Sequence, residues 1–262
     1  KLKNKHLNMI NNLNVDISFN LEELEGIFFK SIDFLKKFST IDSENFLFDS
    51  LKEGKRILAE GAQGSMLDID FGTYPYVTSS NTTAAGACNG LGIPPTKINK
   101  VIGIFKAYTT RVGSGPFPTE LFNEEGKKLQ DIGMEFGATT GRPRRCGWFD
   151  GLAAKYSCMI NGLTDIALTK LDILDHFEKI KVCVGYQSNE NEIDNYSEAI
   201  NLEKITPIYK EFIGWNCELN GIKNYGDLPK ECKQYIEFLE SFLNTKISII
   251  SIGPGRNDII QK

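Results

Sequence analysis

The spacing of apolar and polar positions along the chain changes near residue 56. Before that point, apolar side chains recur every three or four residues, which is the spacing of one face of an α-helix. They lie at Leu21, Leu24, Phe28, Ile32 and Leu35. Asn20, with Glu23 three positions later, has the residue types of a helix N-terminal capping box. We therefore expect residues 1–55 to form a helical segment.

After residue 56, short apolar and β-branched runs alternate with helical patterns. Strands are predicted at residues 56–60, 101–111, 164–172, 179–186 and 246–252. Helices are predicted at residues 149–161 and from Pro229 onward, where an apolar stripe follows. The stripe comprises Cys232, Tyr235, Ile236, Leu239, Phe242 and Leu243. This alternation is typical of an α/β fold with a mostly parallel central sheet flanked by helices. Without an internal repeat or a low-complexity linker, a single domain over residues 1–262 is favoured.

The charge balance is slightly acidic, with 30 Lys and Arg against 34 Asp and Glu and a formal net charge of −4. It argues against a nucleic acid partner and against an anionic membrane surface. No apolar run approaches the roughly 18 residues that span a bilayer. The six cysteines contain no C-x-x-C pair, and two histidines do not complete a zinc cluster. We expect reduced thiols and a cytoplasmic location.

Residues 137–147, called the arginine loop below, read Gly-Ala-Thr-Thr-Gly-Arg-Pro-Arg-Arg-Cys-Gly. Its two threonine hydroxyls are hydrogen-bonding groups, and Arg142, Arg144 and Arg145 carry guanidinium forks that match a carboxylate or a phosphate. This composition predicts a loop that binds a small anion and closes over a substrate. The alternative is a flexible basic loop that faces solvent.

A second candidate site lies at the end of the strand predicted over residues 164–172. The carboxylate of Asp172 can accept two hydrogen bonds from the edge of guanine and would repel adenine. On a strand, Lys170 lies on the same side as Asp172 and can cover the base with its alkyl stem. Ligands of open α/β sheets bind beyond the carboxyl ends of strands, so Gly253 and Pro254, after the last strand, are placed at the same site. The alternative is a strand end with a Lys–Asp surface pair.

Residues 60–83 form the most polar segment of the chain. Gln63 can present its amide to a heterocycle, and residues 78–81 offer short donors suited to phosphate oxygens. Asp68 and Asp70 have the spacing of a metal-binding pair, although capping or surface exposure is favoured. The chain has no G-x-x-x-x-G-K-[ST] loop for a triphosphate, and no catalytic role is predicted for either histidine.

Together, several of these segments resemble the adenylosuccinate synthetase family. The matching segments are residues 60–64, 68–83, 107–120, 135–148, 168–172 and 251–254, among them Ala-Tyr-Thr-Thr-Arg-Val-Gly-Ser-Gly-Pro-Phe-Pro-Thr-Glu at 107–120. The resemblance runs from about Glu60 to the C-terminus, whereas residues 1–55 resemble the family only weakly. It implies a P-loop-related α/β fold like that of the family and a substrate- and guanine-binding region over residues 56–262.

The resemblance also implies three sets of binding residues. The IMP set is Gln63, Thr78, Val112 and Arg142. The aspartate set is Ala138, Thr139, Thr140, Gly141, Arg142 and Arg144. The GTP set is Arg144, Lys170, Leu171, Asp172, Ser251, Ile252 and Gly253.

The reaction that the resemblance implies is the GTP-dependent ligation of L-aspartate to IMP, a step of AMP biosynthesis. The γ-phosphate of GTP, the co-substrate, moves to O6 of IMP, and the aspartate amine then displaces phosphate to give adenylosuccinate. The family also implies Mg²⁺ and a homodimer.

The chain departs from the family in two places. The glycine-rich phosphate loop, with its catalytic aspartate, magnesium ligand and lysine, and the segment of the catalytic histidine have no counterpart here. We therefore expect a C-terminal portion of the enzyme, incomplete alone, without catalytic residues or metal ligands of its own. Pro143 stands where an arginine is also common. Two other interpretations stay open, namely a GTP-binding module without ligase chemistry and a non-catalytic relic.

Overall fold

The computed structural model describes residues 1–13, 20–137, 141–188, 191–199 and 205–262. Its helices are α1 (Leu2–Asn12), α2 (Leu21–Leu35), α3 (Ser43–Lys52), α4 (Ala84–Leu91), α5 (Glu124–Ile132), α6 (Gly151–Asn161), α7 (Tyr196–Ala199) and α8 (Lys230–Leu243). Its strands are β1 (Ile102–Lys106), β2 (Thr109–Arg111), β3 (Arg145–Gly147), β4 (Phe149–Asp150), β5 (Asp165–Thr169), β6 (Lys179–Ser188), β7 (Asn191–Ile193), β8 (Thr206–Ile213), β9 (Ile247–Ser251) and β10 (Ile259–Gln261).

The chain divides into two compact units, residues 1–46 and residues 47–262. In the first unit, Oδ1 of Asn20 accepts a hydrogen bond from the backbone N–H of Glu23 at 3.3 Å, so the predicted N-cap of α2 is confirmed. The second unit carries the strands and the candidate site. The single domain predicted over residues 1–262 stays a prediction.

Four strands of the second unit form one sheet in the order β1-β5-β9-β10. β5 pairs in parallel with both β1 and β9, whereas β10 is antiparallel to β9. The inner strands are apolar, and Ile166, Leu168 and Ile250 are almost fully buried, as expected for strands covered on both faces. The predicted α/β class with a mostly parallel central sheet is confirmed.

Helix α8 covers this core with the face that the sequence pattern predicts. The buried positions on it are Cys232, Tyr235, Ile236, Leu239 and Leu243. Phe242, the remaining member of the predicted stripe, is partly buried. Pro229 is the N-cap residue, so the helix begins at Lys230, one position later.

A second set of strands surrounds β6, which pairs in parallel with β4 and antiparallel with β7 and β8. The strand predicted over residues 101–111 is divided in two. The backbone N–H of Ala107 still donates to the carbonyl of Thr169, after which the chain leaves the central sheet and β2 pairs with β3. The prediction of one continuous strand is therefore wrong, because the two halves have different partners.

The strand predicted at residues 56–60 is also wrong. These residues have no regular secondary structure, and the side chains of Ile57 and Leu58 are 36% and 92% exposed. An apolar run becomes a strand only where a neighbour accepts its hydrogen bonds and covers a face. The six cysteines form no disulfide bond with one another in the structure. No helix among the described residues is long and apolar enough to cross a membrane.

Candidate functional site

The parallel strands β1, β5 and β9 end side by side at one edge of the central sheet. Lys106, the last residue of β1, is in register with Thr169, the last residue of β5. Leu168 of β5 is in register with Ile250 of β9. Residues 170–172, after β5, and residues 251–253, at the end of β9, are therefore neighbours, and we call them the strand-end corner.

The chain turns directly after β5. Lys170 has a left-handed backbone (φ 59°) and is the N-cap of a short 3-10 turn, Leu171–Leu174. A strand does not continue through such a residue, so the expectation that Lys170 and Asp172 share one strand face is wrong. Asp172 lies half-buried in the turn. Burial raises its pKa, and the charge of Asp258 acts in the same direction.

Two positions of the strand-end corner belong to the hydrophobic core. The side chains of Leu171 and Ile252 are 0% and 2% exposed, so these residues can offer a ligand only their main-chain groups. The hydroxyl of Ser251 donates to the carbonyl of Gly253 at 3.0 Å. Main-chain groups therefore make up much of this surface.

Asp258 holds the loop after β9. Its Oδ2 accepts the backbone N–H of Gly255 at 2.8 Å, and its carbonyl accepts the backbone N–H of Ile252 at 2.9 Å. Sequence reasoning missed Asp258. A carboxylate three residues after a Gly-Pro-Gly turn is a signal that points to such a role.

Glu135 lies three residues beyond α5, and its side chain is 0% exposed. Lys106 Nζ donates to both of its carboxylate oxygens at 2.9 Å, and the Tyr108 hydroxyl donates to Oε1 at 2.5 Å. Arg144 Nη1 lies 2.7 Å from Oε2, and Lys170 Nζ lies 3.0 Å from Oε1. We call these five residues the Glu135 cluster. It joins the strand-end corner, through Lys170, to the arginine loop, through Arg144.

The Glu135 cluster carries an excess of positive charge. Burial raises the pKa of Glu135, but hydrogen bonds from Tyr108, Lys106 and Arg144 outweigh burial and lower it from 4.5 to about 2. Burial lowers the pKa of Lys106, and its bond to Glu135 opposes that change. One carboxylate thus faces three basic side chains. Sequence reasoning did not identify Glu135 as a site residue, because most of its partners are distant in sequence.

The base of the arginine loop is closed by backbone hydrogen bonds. The N–H of Gly137 donates to the carbonyl of Arg142, and the N–H of Gly141 donates to the carbonyl of Gly137, both at 2.8 Å. Gly141 has φ 63°, which favours glycine. Three predicted aspartate-binding residues lie outside the described residues: Ala138, Thr139 and Thr140.

The three arginines of the loop have different surroundings. Arg142 is exposed, and Arg144 belongs to the Glu135 cluster. Arg145 binds both carboxylate oxygens of Glu120 and donates to two backbone carbonyls within residues 113–115. A two-pronged ion pair fixes a guanidinium in one geometry. Arg145 therefore holds the fold together, and the expectation that it helps to bind an anion is not supported.

Asp68 organises the polar segment over residues 60–83. It is 0% exposed, and its Oδ1 accepts the backbone N–H groups of Asp70 and Phe71 at 3.0 and 3.1 Å. Its Oδ2 accepts those of Thr82 and Thr83 at 2.6 and 3.2 Å. Within the described ranges, no group of three or more His, Cys, Asp and Glu side chains is placed to hold a metal. Asp68 thus serves as a backbone cap, the interpretation that the sequence favours.

The predicted IMP residues Gln63, Thr78 and Val112 lie on two segments. Gln63 is exposed with φ 60°, and Val112 is 52% exposed. The hydroxyls of Thr78 and Ser80 are 2.8 Å apart and share a hydrogen bond. The hydroxyl of Thr78 also bonds the carbonyl of Leu67 at 3.2 Å. A ligand oxygen at Thr78 would compete with these bonds.

Arg111 connects the two segments that carry Thr78 and Val112. Its Nη2 donates to Thr73 Oγ1 at 2.9 Å and to the carbonyl of Tyr76 at 3.1 Å. Its Nε donates to the carbonyl of Ser114 at 3.0 Å. Because Arg145 binds carbonyls in the same 113–115 turn, this turn ties the predicted IMP segments to the arginine loop.

The family model for adenylosuccinate synthetase matches residues 1–260 of this chain. Similar curated proteins include the adenylosuccinate synthetases of Flavobacterium psychrophilum, 55% identical, and Flavobacterium johnsoniae, 54% identical. Both matches cover 100% of this chain and 62% of the relative. The chain therefore spans less than two thirds of the length of these relatives.

One solved structure leads to the same family, and a second one shares the fold. The fully ligated adenylosuccinate synthetase from Plasmodium falciparum is 39% identical with a TM-score of 0.92, and the match covers 100% of this chain and 62% of that one. The succinoaminodeoxyadenylate synthetase of cyanophage S-2L is 20% identical over 85% of this chain and 50% of that one, and with a TM-score of 0.54 it shares only the fold. The family match begins at residue 1, so the expectation that the resemblance starts near Glu60 is wrong. The chain belongs to the adenylosuccinate synthetase family.

Proposed function

We propose that this chain carries substrate-binding parts of an adenylosuccinate synthase, which ligates L-aspartate to IMP and converts GTP to GDP and phosphate. The chain covers 62% of its curated relatives, so the activity is proposed for the complete gene product. The observation that carries the proposal is the Glu135 cluster. In this cluster, Glu135 contacts both Lys170, which belongs to the candidate guanine site, and Arg144, a candidate ligand of aspartate and GTP.

We assign the guanine base to the strand-end corner. The half-buried carboxylate of Asp172 is the group that would accept the two donors of the guanine edge. Main-chain groups of Leu171 and of residues 251–253 would surround the base. Lys170 is the basic residue of this corner, and its Nζ lies 3.0 Å from Glu135 Oε1.

We assign IMP and aspartate to the surfaces on either side of the arginine loop. IMP would contact Gln63, Thr78, Val112 and Arg142. Aspartate would contact residues 138–142 and Arg144, and Arg144 would also reach the nucleotide triphosphate.

In the proposed reaction, O6 of IMP accepts the γ-phosphoryl group of GTP, and the aspartate amine then displaces phosphate from C6. Basic side chains stabilise the charge that develops on a transferring phosphoryl group. In this chain, Arg142, Arg144 and the surplus positive charge of the Glu135 cluster supply that stabilisation. The described residues do not form a Mg²⁺ site, so no step is assigned to the metal here. We also propose a cytoplasmic homodimer, on the resemblance to the family.

The test is an assay of adenylosuccinate formation by the complete gene product, together with the Asp172→Asn variant. The amide of Asn places an NH₂ donor where the carboxylate had an acceptor, so one N–H donor of guanine loses its hydrogen bond. We expect the KM for GTP to rise about 10- to 100-fold, which corresponds to ~1.5–3 kcal/mol for a lost charged hydrogen-bonding partner. Xanthosine triphosphate, which carries an acceptor at that edge, is expected to regain activity. Asp131→Asn, at an exposed carboxylate on α5, is the matched control.

Two results would contradict the proposal. Absence of adenylosuccinate formation by the complete gene product would remove the ligase assignment. Isothermal titration then separates the alternatives, because a guanine-binding module binds GTP without IMP or aspartate and a relic binds none of them. An unchanged KM for GTP in Asp172→Asn would remove the guanine assignment.

A further inference from the structure

The carboxylate of Glu135 is the point at which three separate chain segments meet. Lys106 comes from the end of β1, Lys170 from the turn after β5, and Arg144 from the arginine loop. Both oxygens are used, Oε1 by Lys170 and Oε2 by Arg144, while Lys106 bonds to both. Because Lys106, Arg144 and Lys170 bind the same carboxylate, a movement of one of these basic groups affects the other two.

The exposures in the Glu135 cluster differ sharply. The Glu135 side chain is 0% exposed, whereas those of Lys106, Arg144 and Lys170 are 26%, 29% and 33% exposed. Each basic side chain therefore has one part held by the buried carboxylate and another part open to a ligand. Glu135 itself has no surface that a substrate could contact.

Backbone bonds fix Glu135 from both directions. Its N–H donates to the carbonyl of Gln130 at 2.9 Å, and its carbonyl accepts the N–H of Arg144 at 2.8 Å. Gln130 Nε2 donates to the carbonyl of Arg144 at 2.6 Å, and Lys170 Nζ also donates to the carbonyl of Gly133 at 2.5 Å. A carboxylate held in this way is a rigid anchor for Lys170, at the proposed guanine site, and for Arg144, at the proposed aspartate site.

We propose that Glu135 is a positioning residue that holds Lys170 and Arg144 in one arrangement and thereby couples guanine nucleotide binding to aspartate binding. The inference rests on the proposed function of the two sites. Without the negative charge, three basic groups repel each other around a neutral side chain, and Lys170 and Arg144 separate. A nucleotide that orders Lys170 then no longer orders Arg144. The binding free energy of each ligand is therefore reduced by the cost of ordering its own side chain.

The experiment compares Glu135→Gln with Glu124→Gln, an exposed glutamate in the first turn of α5, in the complete gene product. We expect Glu135→Gln to raise the KM values for GTP and for aspartate about tenfold each and to leave the KM for IMP within twofold. In the parent protein, we expect the KM for aspartate to depend on whether GTP is subsaturating or saturating. In Glu135→Gln that dependence disappears, which a general loss of stability would not cause.

Tyr108→Phe provides a second variant in case Glu135→Gln does not fold. It removes the hydrogen bond of one buried hydroxyl and keeps the carboxylate charge and the ring. We expect two- to threefold increases in the same two KM values and none for IMP.

Three results would overturn the inference. They are KM values in Glu135→Gln that match those of Glu124→Gln, equal increases for all three substrates, and a Tyr108→Phe variant with unchanged KM values for GTP and aspartate. If the parent protein forms no adenylosuccinate, the proposed function fails and this inference fails with it. If the parent is active and Glu135→Gln behaves as its control, only the inference fails.

Discussion

Replacing Asp68 with Asn tests whether one buried carboxylate organises the polar segment over residues 60–83. The substitution keeps one oxygen, which can still accept two backbone N–H groups. It places an NH₂ group against the other two donors, whichever way the amide is turned. In the structure, the two backbone N–H groups that donate to Oδ2 are those of Thr82 and Thr83, at 2.6 and 3.2 Å.

The expected cost follows from the two donors left without an acceptor. A buried donor that loses its partner costs ~1–3 kcal/mol, so Asp68→Asn should lower the local stability of this segment by about 2–6 kcal/mol. Asp70→Asn is a matched control in the same segment, because Asp70 is exposed and its Oδ2 accepts a surface bond from Asn81 at 2.8 Å. We expect the control to change stability by less than ~1 kcal/mol.

Native-state hydrogen exchange of the Thr82 and Thr83 amides measures this effect directly, because exchange reports local opening. A loss of 2 kcal/mol corresponds to about 30-fold faster exchange, at ~1.4 kcal/mol for each factor of ten. If Asp68→Asn and Asp70→Asn change the exchange of these amides equally, the assignment of Asp68 as a backbone cap is refuted.

Two further predictions concern the ion pairs of the site. Arg145→Lys replaces a two-pronged pair with a point charge, so we expect a loss of ~1–3 kcal/mol and faster proteolysis within residues 111–118; an unchanged cleavage rate would contradict this. The pKa of Glu135 is about 2 in the folded state, against a usual 4.5. The ionised carboxylate therefore stabilises the fold above pH 4.5 by on the order of 3 kcal/mol, and this contribution is lost as the pH falls toward 2. Denaturation between pH ~5 and ~3 should show a steeper loss of stability in the parent than in Glu135→Gln, and equal slopes would count against the ion-pair geometry.

The inner strands and α8 could be predicted from the sequence because their apolar patterns alone indicate which side chains are buried. Ile166 and Leu168 of β5, and Tyr235 and Leu239 of α8, are buried whatever their exact neighbours. Residues 56–60 have a similar composition and are exposed, because a strand also needs a partner that composition does not specify. The turn after β5 could not be predicted, because nothing in the local pattern marks Lys170 as left-handed.

The candidate site was predictable as a set of segments but not as a set of contacts. The composition of the arginine loop marks it as a site, yet Arg144 and Arg145 are adjacent and chemically identical. What distinguishes them is that Arg145 meets Glu120 and Arg144 meets Glu135. Both carboxylates come from other parts of the chain, and only the folded structure identifies which carboxylate each arginine meets.

The burial of Leu171 and Ile252 would restrict how the proposed guanine site can change its preference for a base through evolution. Both residues flank the proposed base position, but their side chains lie in the core, so a substitution at either would disturb packing before it altered recognition. Asp172 is only half-buried, so its side chain can vary with less disturbance of the core. A lineage that shifts from one purine to another is therefore expected to do so at Asp172 rather than at Leu171 or Ile252.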